Sequence, residues 1–334
     1  MSIQMYVGAD IAANSIQLEW VGVNGSQREQ WAIQHKQGDY RKLVKRLTKQ
    51  TTAAEIQVVM EATGSYWMAF AEYLHQAGMV VSVLNPIQSA HLAQTLLQRT
   101  KTDVADAHLL CEYGQRLQPD AWTPPPAICQ QLQHRLRQRE DLVQIRSAER
   151  NRRHALQHQP HVDKSIRQRI EHHIDFLTRQ IKTLDKEIRQ LLLSHHDWKD
   201  HVHRLLTIKG LGFLTVAWLL VTTHAFTRCQ TPDEAAAFAG LAPHPRESGQ
   251  WKGKRSVGGG GHRALRCSLY MASLSAVRFN PRLKLVFAHL LERGKPKKVA
   301  LCAIARKLIH LAWALVVKQR DFDPYWGLNS QPAA

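Results

Sequence analysis

The chain is short of acid. Its 334 residues hold 27 Asp and Glu against 45 Lys and Arg, a formal charge of +18. A surplus that large calls for a polyanion, and nucleic acid comes first because each neutralised phosphate releases counterions. A membrane surface is the weaker candidate, since neither a lipid anchor nor a basic amphipathic helix ending in a lipidation motif is present. Cysteine is scarce as well: Cys111, Cys129, Cys229, Cys267 and Cys302 are scattered, odd in number and without a C-x-x-C pair. That argues against a disulfide or zinc framework and reads as reduced cytosolic thiols. The opening "MSIQMYVGADIAANS" has no basic segment followed by an apolar core, so no secretion signal is expected. The most apolar stretch, "VALCAIARKLIHLAWALVV" at 299–317, carries Arg306, Lys307 and His310 in mid-span. It reads as a buried helix rather than a membrane span. Wholesale disorder is excluded too, because hydrophobic residues make up 44%.

The length suits two or three domains. The first 120 residues alternate strand and helix signals. "MYVGADI" reads as a buried strand, and "SIQLEWVGV" and "QREQWAI" flank Asn24-Gly25, a hairpin turn signal. "IQVVMEATG" is a fourth strand, "SYWMAFAEYLHQAG" a helix stopped at Gly78, and "MVVSVLNP" a fifth strand stopped at Pro86. Two helices follow, at 87–98 and 103–117. In outline this is βββαβαα, a mixed sheet with helices packed on it. "PDAWTPPPAI" at 119–128 breaks the pattern and marks a domain boundary.

Beyond it the sequence is helical, so the fold class expected is α/β plus all-α. Ile166, Ile170, Ile174, Leu177, Ile181, Leu184, Ile188 and Leu191 recur at spacings of four and three, a coiled-coil seam. Such a helix would be about 45 Å long. Residues 128–156 are its expected antiparallel partner, turning at "HQPHVD". An intramolecular hairpin and a dimerisation arm both fit. Histidines crowd the arm, including His154, His158, His161, His172, His173, His195 and His196, but no ligand face is fixed, and solvated or structural histidine is the simpler reading. Three divisions are expected: 1–120, a linker and helical arm at 121–200, and 201–328. In the last, "IKGLG" sets Gly210 and Gly212 between two helices, either a helix break or a turn whose N–H groups meet a phosphate.

Because acids are few, those at element ends stand out. Asp10 ends the first strand, Glu61 ends the fourth, and Asp103 and Asp106 lie three apart on one helix face. Each has an ordinary explanation as a cap, a dipole partner or a loop residue. Four carboxylates at one sheet end would repel one another unless cations held them. A pair of Mg²⁺ ions about 3.5 to 4 Å apart suits such oxygens and serves phosphodiester chemistry.

These acids, with "EATGSYW", "KTDVADA", "FAGLAP", "GLAPHPRESG" and "GGGGHRALRCSLYM", resemble the insertion-sequence transposases of the IS110 family, the DEDD transposases, across nearly the whole chain. The resemblance implies a RuvC-like ribonuclease H fold carrying the four acids, a central coiled coil, and a mainly helical C-terminal transposase domain. It implies that the serine of the E-S-G loop, here Ser248, becomes covalently joined to DNA. Arg246, Lys252, Lys254 and Arg255 around it could hold a phosphate and stabilise its transition-state charge. His262, Arg263 and Arg266 are further nucleic-acid contacts, and Gly258 to Gly261 would let backbone approach a strand. No general base for Ser248 is singled out, although His244 and His262 are near in sequence.

The resemblance further implies a noncoding guide RNA, donor and target DNA, sites shared between protomers, a dimer assembling to a tetramer, and a cytoplasmic, nucleoid-associated enzyme. Two alternatives stay open. One is a RuvC-like junction nuclease in which the acids activate water and Ser248 merely contacts phosphate. The other is a non-enzymatic nucleic-acid-binding protein that ignores the acids.

Overall fold

The computed structural model describes residues 2–22, 28–97, 102–244, 247–248, 251–252, 256–257, 260–320 and 322–323, with backbone alone from 244 to 257. The chain divides into two compact units, Met1–Pro124 and Pro125–Ala334.

In the first unit, β1 (Met5–Ile11), β2 (Ser15–Val21) and β3 (Arg28–Gln34) form an antiparallel meander. Asn24-Gly25, the expected turn between β2 and β3, lies outside the described residues. Helix α1 (Gln37–Leu47) then leads to β4 (Ile56–Glu61), α2 (Trp67–Gln76), β5 (Val80–Leu84), α3 (Pro86–Thr95) and α4 (Asp103–Leu117). The sheet order is β3-β2-β1-β4-β5, with β4 parallel to both β1 and β5. Helix α1 corrects the sequence outline, which had none between the third and fourth strands. Its segment "QGDYRKLVKRL" is mostly polar and buries only Tyr40, Leu43 and Leu47, one narrow stripe at helical spacing.

Strand alternation sorts side chains between the two faces of the sheet. Met5, Val7, Ala9, Ile16, Leu18, Trp20, Ile56, Val58 and Met60 pack with Tyr40, Leu43, Phe70 and Leu74 of α1 and α2. The opposite set in β1 is Tyr6, Gly8 and Asp10, and this is the face that α4 covers. A Cβ built on Gly8 would sit 2.0 Å from Ala107 O and 2.4 Å from Cys111 N, so the backbone of α4 rests directly on β1. The fit is reciprocal, for a Cβ on Gly114 of α4 would meet Tyr6 Cδ1 and Val59 Cγ2, each at 2.9 Å. Cys111 Sγ donates to Tyr6 O at 3.3 Å between them.

In the second unit, α5 (Ala127–Gln157) and α6 (Lys164–Ser194) form an antiparallel hairpin. Arg135 pairs with Glu187, Arg139 with Asp185 and Arg153 with Glu171, so partners later on α5 meet residues earlier on α6, as only an antiparallel pair gives. On α6, Ile174, Leu177, Ile181, Leu184 and Ile188 are buried, whereas Ile166 is exposed near the tip. On α5 the buried apolar residues stop at Leu136, and the buried residue outward of it is Glu149. Helices α7 (His196–Thr207), α8 (Phe213–Thr223), α9 (Pro232–Phe238), α10 (Arg263–Phe279), α11 (Pro281–Glu292) and α12 (Lys297–Val317) build the main core. By length and composition α12 could cross a membrane. Here ten of its residues, from Ala300 to Val316, are buried against its neighbours, and Arg306 pairs with Asp233 at 2.7 Å.

Substituting Gly8→Ala tests the seat of α4. The added methyl meets backbone rather than a movable side chain, so the expected loss is about 1–3 kcal/mol, read as a lower melting temperature. A melting curve indistinguishable from the parent would contradict the close contact.

Candidate active site

The strand ends and α4 bring the four acids of the first unit together. Ala9 pairs with Met60 across parallel β1 and β4, so Asp10 and Glu61 follow side by side where the two strands end. Thr102 caps α4, its side chain accepting from Ala105 N at 3.2 Å, and places Asp103 and Asp106 in the first turn. There the helix dipole favours negative charge. Because α4 is seated at Ala107 and Cys111 on Gly8, its first turn overhangs the end of β1.

The electrostatics report the proximity. The Asp10 carboxyl is pushed up to about 6, first by burial and then by the negative charges of Asp106, Asp103 and Glu61, with a backbone hydrogen bond at Ile11 opposing. Glu61 is held in place by hydroxyls: Thr63 Oγ1 donates to its Oε1 and Ser89 Oγ to its Oε2, each at 2.6 Å. Ser89, on α3, is buried and was missed in the sequence, where nothing marks a serine in "NPIQSAHLAQ" as a carboxylate partner. Asn85 starts that helix, its side chain accepting from Ile87 N at 3.0 Å, and so positions Ser89 one turn later.

Donor chemistry and potential both suit a hard divalent cation: carboxylate oxygens, concentrated negative charge, and an aspartate whose charged form is disfavoured by its acidic neighbours. Among the described residues no three His, Cys, Asp or Glu side chains already converge as a ligand group. A cation would therefore draw the four acids inward from their present positions. The same finding covers the described histidines of the α5–α6 hairpin. There His154 stacks edge-on to His158, and His173 Nδ1 lies 3.3 Å from Glu149.

The expected serine loop lies in the second unit. Its described backbone is a ladder of short strands: β6 (Pro243–His244) pairs with β9 (Ser256–Val257), and β7 (Glu247–Ser248) pairs with β8 (Trp251–Lys252). Ser248 is opposite Trp251, and Lys252 opposite Glu247. Arg246, Lys254, Arg255, Gly258 and Gly259 lie outside the described residues. The base of the ladder is pinned by two glycines in left-handed conformation, Gly240 at φ +69° and Gly261 at φ +79°. A Cβ on Gly261 would lie 2.3 Å from Gly240 N, and one on Gly240 would lie 2.2 Å from Gly260 O. Gly261 thus serves contact within the protein, whereas Gly260 has open space where a side chain would be.

The other expected contacts divide between structure and surface. His262 caps α10, its Nδ1 accepting from Leu265 N at 3.3 Å, and burial with nearby Arg137 and Arg266 lowers its pKa. It is a poor proton acceptor as placed. Arg266 Nη1 donates to Gly260 O at 2.6 Å, bracing the glycine turn, while Arg263 is exposed. Gly210, at φ +114°, packs where a Cβ would lie 2.6 Å from Ala276 Cβ, which makes it a helix-packing glycine. Gly212 begins α8 without a side-chain cap and opens onto a groove of about 910 Å³ lined also by Arg139, Lys186 and Arg189.

The raised Asp10 pKa has a stability consequence. The folded value, about 6, exceeds the ordinary 3.8, so the protonated group favours folding below about pH 4 and that contribution is lost as pH rises through 6. In metal-free buffer Asp10→Asn should therefore melt higher than the parent at pH 7.5, by about 1 kcal/mol after solvent screening, and the gap should close toward pH 4. Equal melting temperatures at pH 7.5 would contradict the repulsion.

Comparison with known proteins shows the family. Residues 7–160 match a family model described as transposase, of the IS110 DEDD group, and residues 202–288 match one described as transposase of the IS116/IS110/IS902 family. The pilin gene-inverting protein of Moraxella bovis is 31% identical over 321 residues, 95% of this chain and 97% of that protein. Its counterpart from Moraxella lacunata matches to the same extent. The transposase for insertion sequence element IS1328 of Yersinia enterocolitica is 24% identical over 298 residues, 80% of this chain and 85% of the relative. All four acids fall within the first matched region and Ser248 within the second. The chain therefore belongs to the IS116/IS110/IS902 family of transposases and is a DNA-recombining enzyme.

Proposed function

We propose that this transposase breaks and exchanges DNA strands through a covalent link to Ser248, assisted by a carboxylate metal site at Asp10, Glu61, Asp103 and Asp106. The observation that carries the reading is the proximity of those acids, felt at Asp10 as a carboxyl raised to about 6. A five-stranded mixed sheet with acids at the ends of β1 and β4 supports reading the first unit as a RuvC-like, ribonuclease H-like domain. On this reading the functional divisions are 1–120, the helical arm at 121–200 with its coiled-coil seam, and 201–328.

In the covalent step, Ser248 Oγ attacks a backbone phosphorus and loses its proton as the O–P bond forms. The bond to the 3′ oxygen breaks, and that oxygen leaves with a proton as a 3′ hydroxyl. A 3′ hydroxyl from a second strand then displaces the serine by the reverse chemistry, so the number of phosphodiester bonds is conserved. When bound, Mg²⁺, as one or two ions, would supply Lewis-acid stabilisation of phosphate oxygens. Arg246, Lys252, Lys254 and Arg255 flank Ser248 in sequence and would hold the phosphate, with Arg263 exposed nearby in the chain. A relative named for inverting a pilin gene supports exchange over simple cutting, because inversion requires rejoining.

The +18 charge suits holding donor and target DNA together with an element-encoded guide RNA, with base pairing choosing the sequence. Acids in one unit and the serine in the other suit a site completed between protomers, in a dimer assembling to a tetramer. Such an enzyme would act in the cytoplasm at the nucleoid.

Protein expressed with its native flanking DNA, mixed with a junction plasmid and Mg²⁺ and quenched in detergent, should carry nucleotide on Ser248 by peptide mass spectrometry. Ser248→Ala and Asp10→Ala should each remove the adduct and lower cleavage about a thousandfold or more. Undiminished cleavage by Ser248→Ala with no adduct would move the reading to a hydrolytic nuclease.

A further inference from the structure

The first unit buries one carboxylate that the proposed chemistry does not use. Glu19 of β2 is 2% exposed and lies directly across from Gly8 of β1. Its oxygens receive donors from two other elements: His108 Nδ1 of α4 at 2.6 Å, Gln30 Nε2 of β3 at 2.9 Å and Arg28 Nη1 of β3 at 3.2 Å. Arg28 carries the network onward, its Nη2 donating to Glu112 Oε1 of α4 at 2.9 Å, and Arg116 donates to Glu112 Oε2 at 2.8 Å. Burial by itself would raise the Glu19 carboxyl. The hydrogen bonds from His108 and Gln30 outweigh it and hold the group below its ordinary range, so Glu19 stays ionised.

A buried ion network is a poor source of net stability, because desolvation offsets the attraction, and an apolar residue of similar volume often serves as well. An apolar residue would not fix the position of a helix. Gly8 sets how closely α4 approaches β1, but a glycine surface does not stop a helix from sliding or turning. His108 and Glu112 are one turn apart on one face of α4, and both are held by the Glu19–Arg28 pair. Two anchors on one face oppose rotation as well as translation. Asp106 lies two residues before His108, so any slip of this turn carries Asp106 and Asp103 with it. Metal ligation tolerates a few tenths of an ångström.

We propose that Glu19 is a positioning residue for the acid cluster: paired with His108 and Arg28, it fixes α4 on β1 and so holds Asp103 and Asp106 against Asp10. The inference rests on the carboxylate site proposed above, and its test separates the two. Cys111 is on the face of α4 that rests on β1, is 2% exposed, and is a local probe of the seat. Alkylation at Cys111, read by peptide mass spectrometry, and the Mg²⁺ concentration at half-maximal rise in melting temperature are measured in full-length parent, Glu19→Met, Glu19→Gln and Arg28→Met.

Glu19→Met should melt cooperatively, label Cys111 at least about tenfold faster and need about tenfold more Mg²⁺, with Glu19→Gln restoring much of both. Unchanged labelling and an unchanged Mg²⁺ midpoint in Glu19→Met would overturn the proposal. If Glu19→Met does not fold, Arg28→Met decides, because that side chain is 50% exposed and can be lost without opening the core. It should show the same two changes in smaller degree, and their absence overturns the proposal equally. A parent chain with no Mg²⁺ response, but with Cys111 protection that still depends on Glu19, would support the positioning role and count against the metal reading instead.

Discussion

The backbone of α4 lies on the central strand with nothing between them, because Gly8 has no side chain to hold it off. That contact sets the height of the helix over the sheet, and the position of every acid on α4 follows from it. Three conditions meet there. Strand alternation puts Gly8 and Asp10 on one face, parallel pairing brings Glu61 beside Asp10, and the Thr102 cap starts α4 so that Asp103 and Asp106 fall in its first turn. Shift any one by a residue and the carboxylates part, since a slip of one position in a strand turns its side chains to the other face.

The same arrangement opposes stability at neutral pH. A chain carrying 27 acids against 45 basic residues has cations to spare, yet the largest charge effects on Asp10 come from three carboxylates, Asp106, Asp103 and Glu61. Elsewhere in the same unit acids are paired, as Glu19, Glu29, Glu112 and Asp39 all are with Arg or Lys. On the proposed reading, a cation from solution would relieve this mutual repulsion. In the second unit the compensation runs the other way: Arg135, Arg139 and Arg153 tie α5 to α6, and Gly240 with Gly261 closes the base of the serine ladder.

Much of this was legible in the sequence, for definite reasons. The strands of the first unit are short apolar runs bounded by turn residues, and the acids end them, so Asp10 and Glu61 could be picked out by position alone. Helix α1 was not legible because its buried stripe is three residues in a polar segment. Gly8, Ser89 and Glu19 were invisible for a different reason: each matters through a partner about 28 to about 100 residues away, and no local pattern encodes such pairing. Ser248 carried no physical signal of its own and stood out only by family resemblance. Gly261 was read as freedom to approach a nucleic-acid strand, whereas its left-handed backbone is used against Gly240.

The central claim is that the ends of β1 and β4 and the start of α4 form a divalent-cation site. Diffraction from crystals soaked in Mn²⁺, a substitute for Mg²⁺ with an anomalous signal, tests it most directly. The account predicts an anomalous peak within about 2.0–2.3 Å of oxygens from Asp10 and at least one of Glu61, Asp103 and Asp106. Ordered carboxylates with no peak between them, at Mn²⁺ concentrations that support strand cleavage, would contradict it.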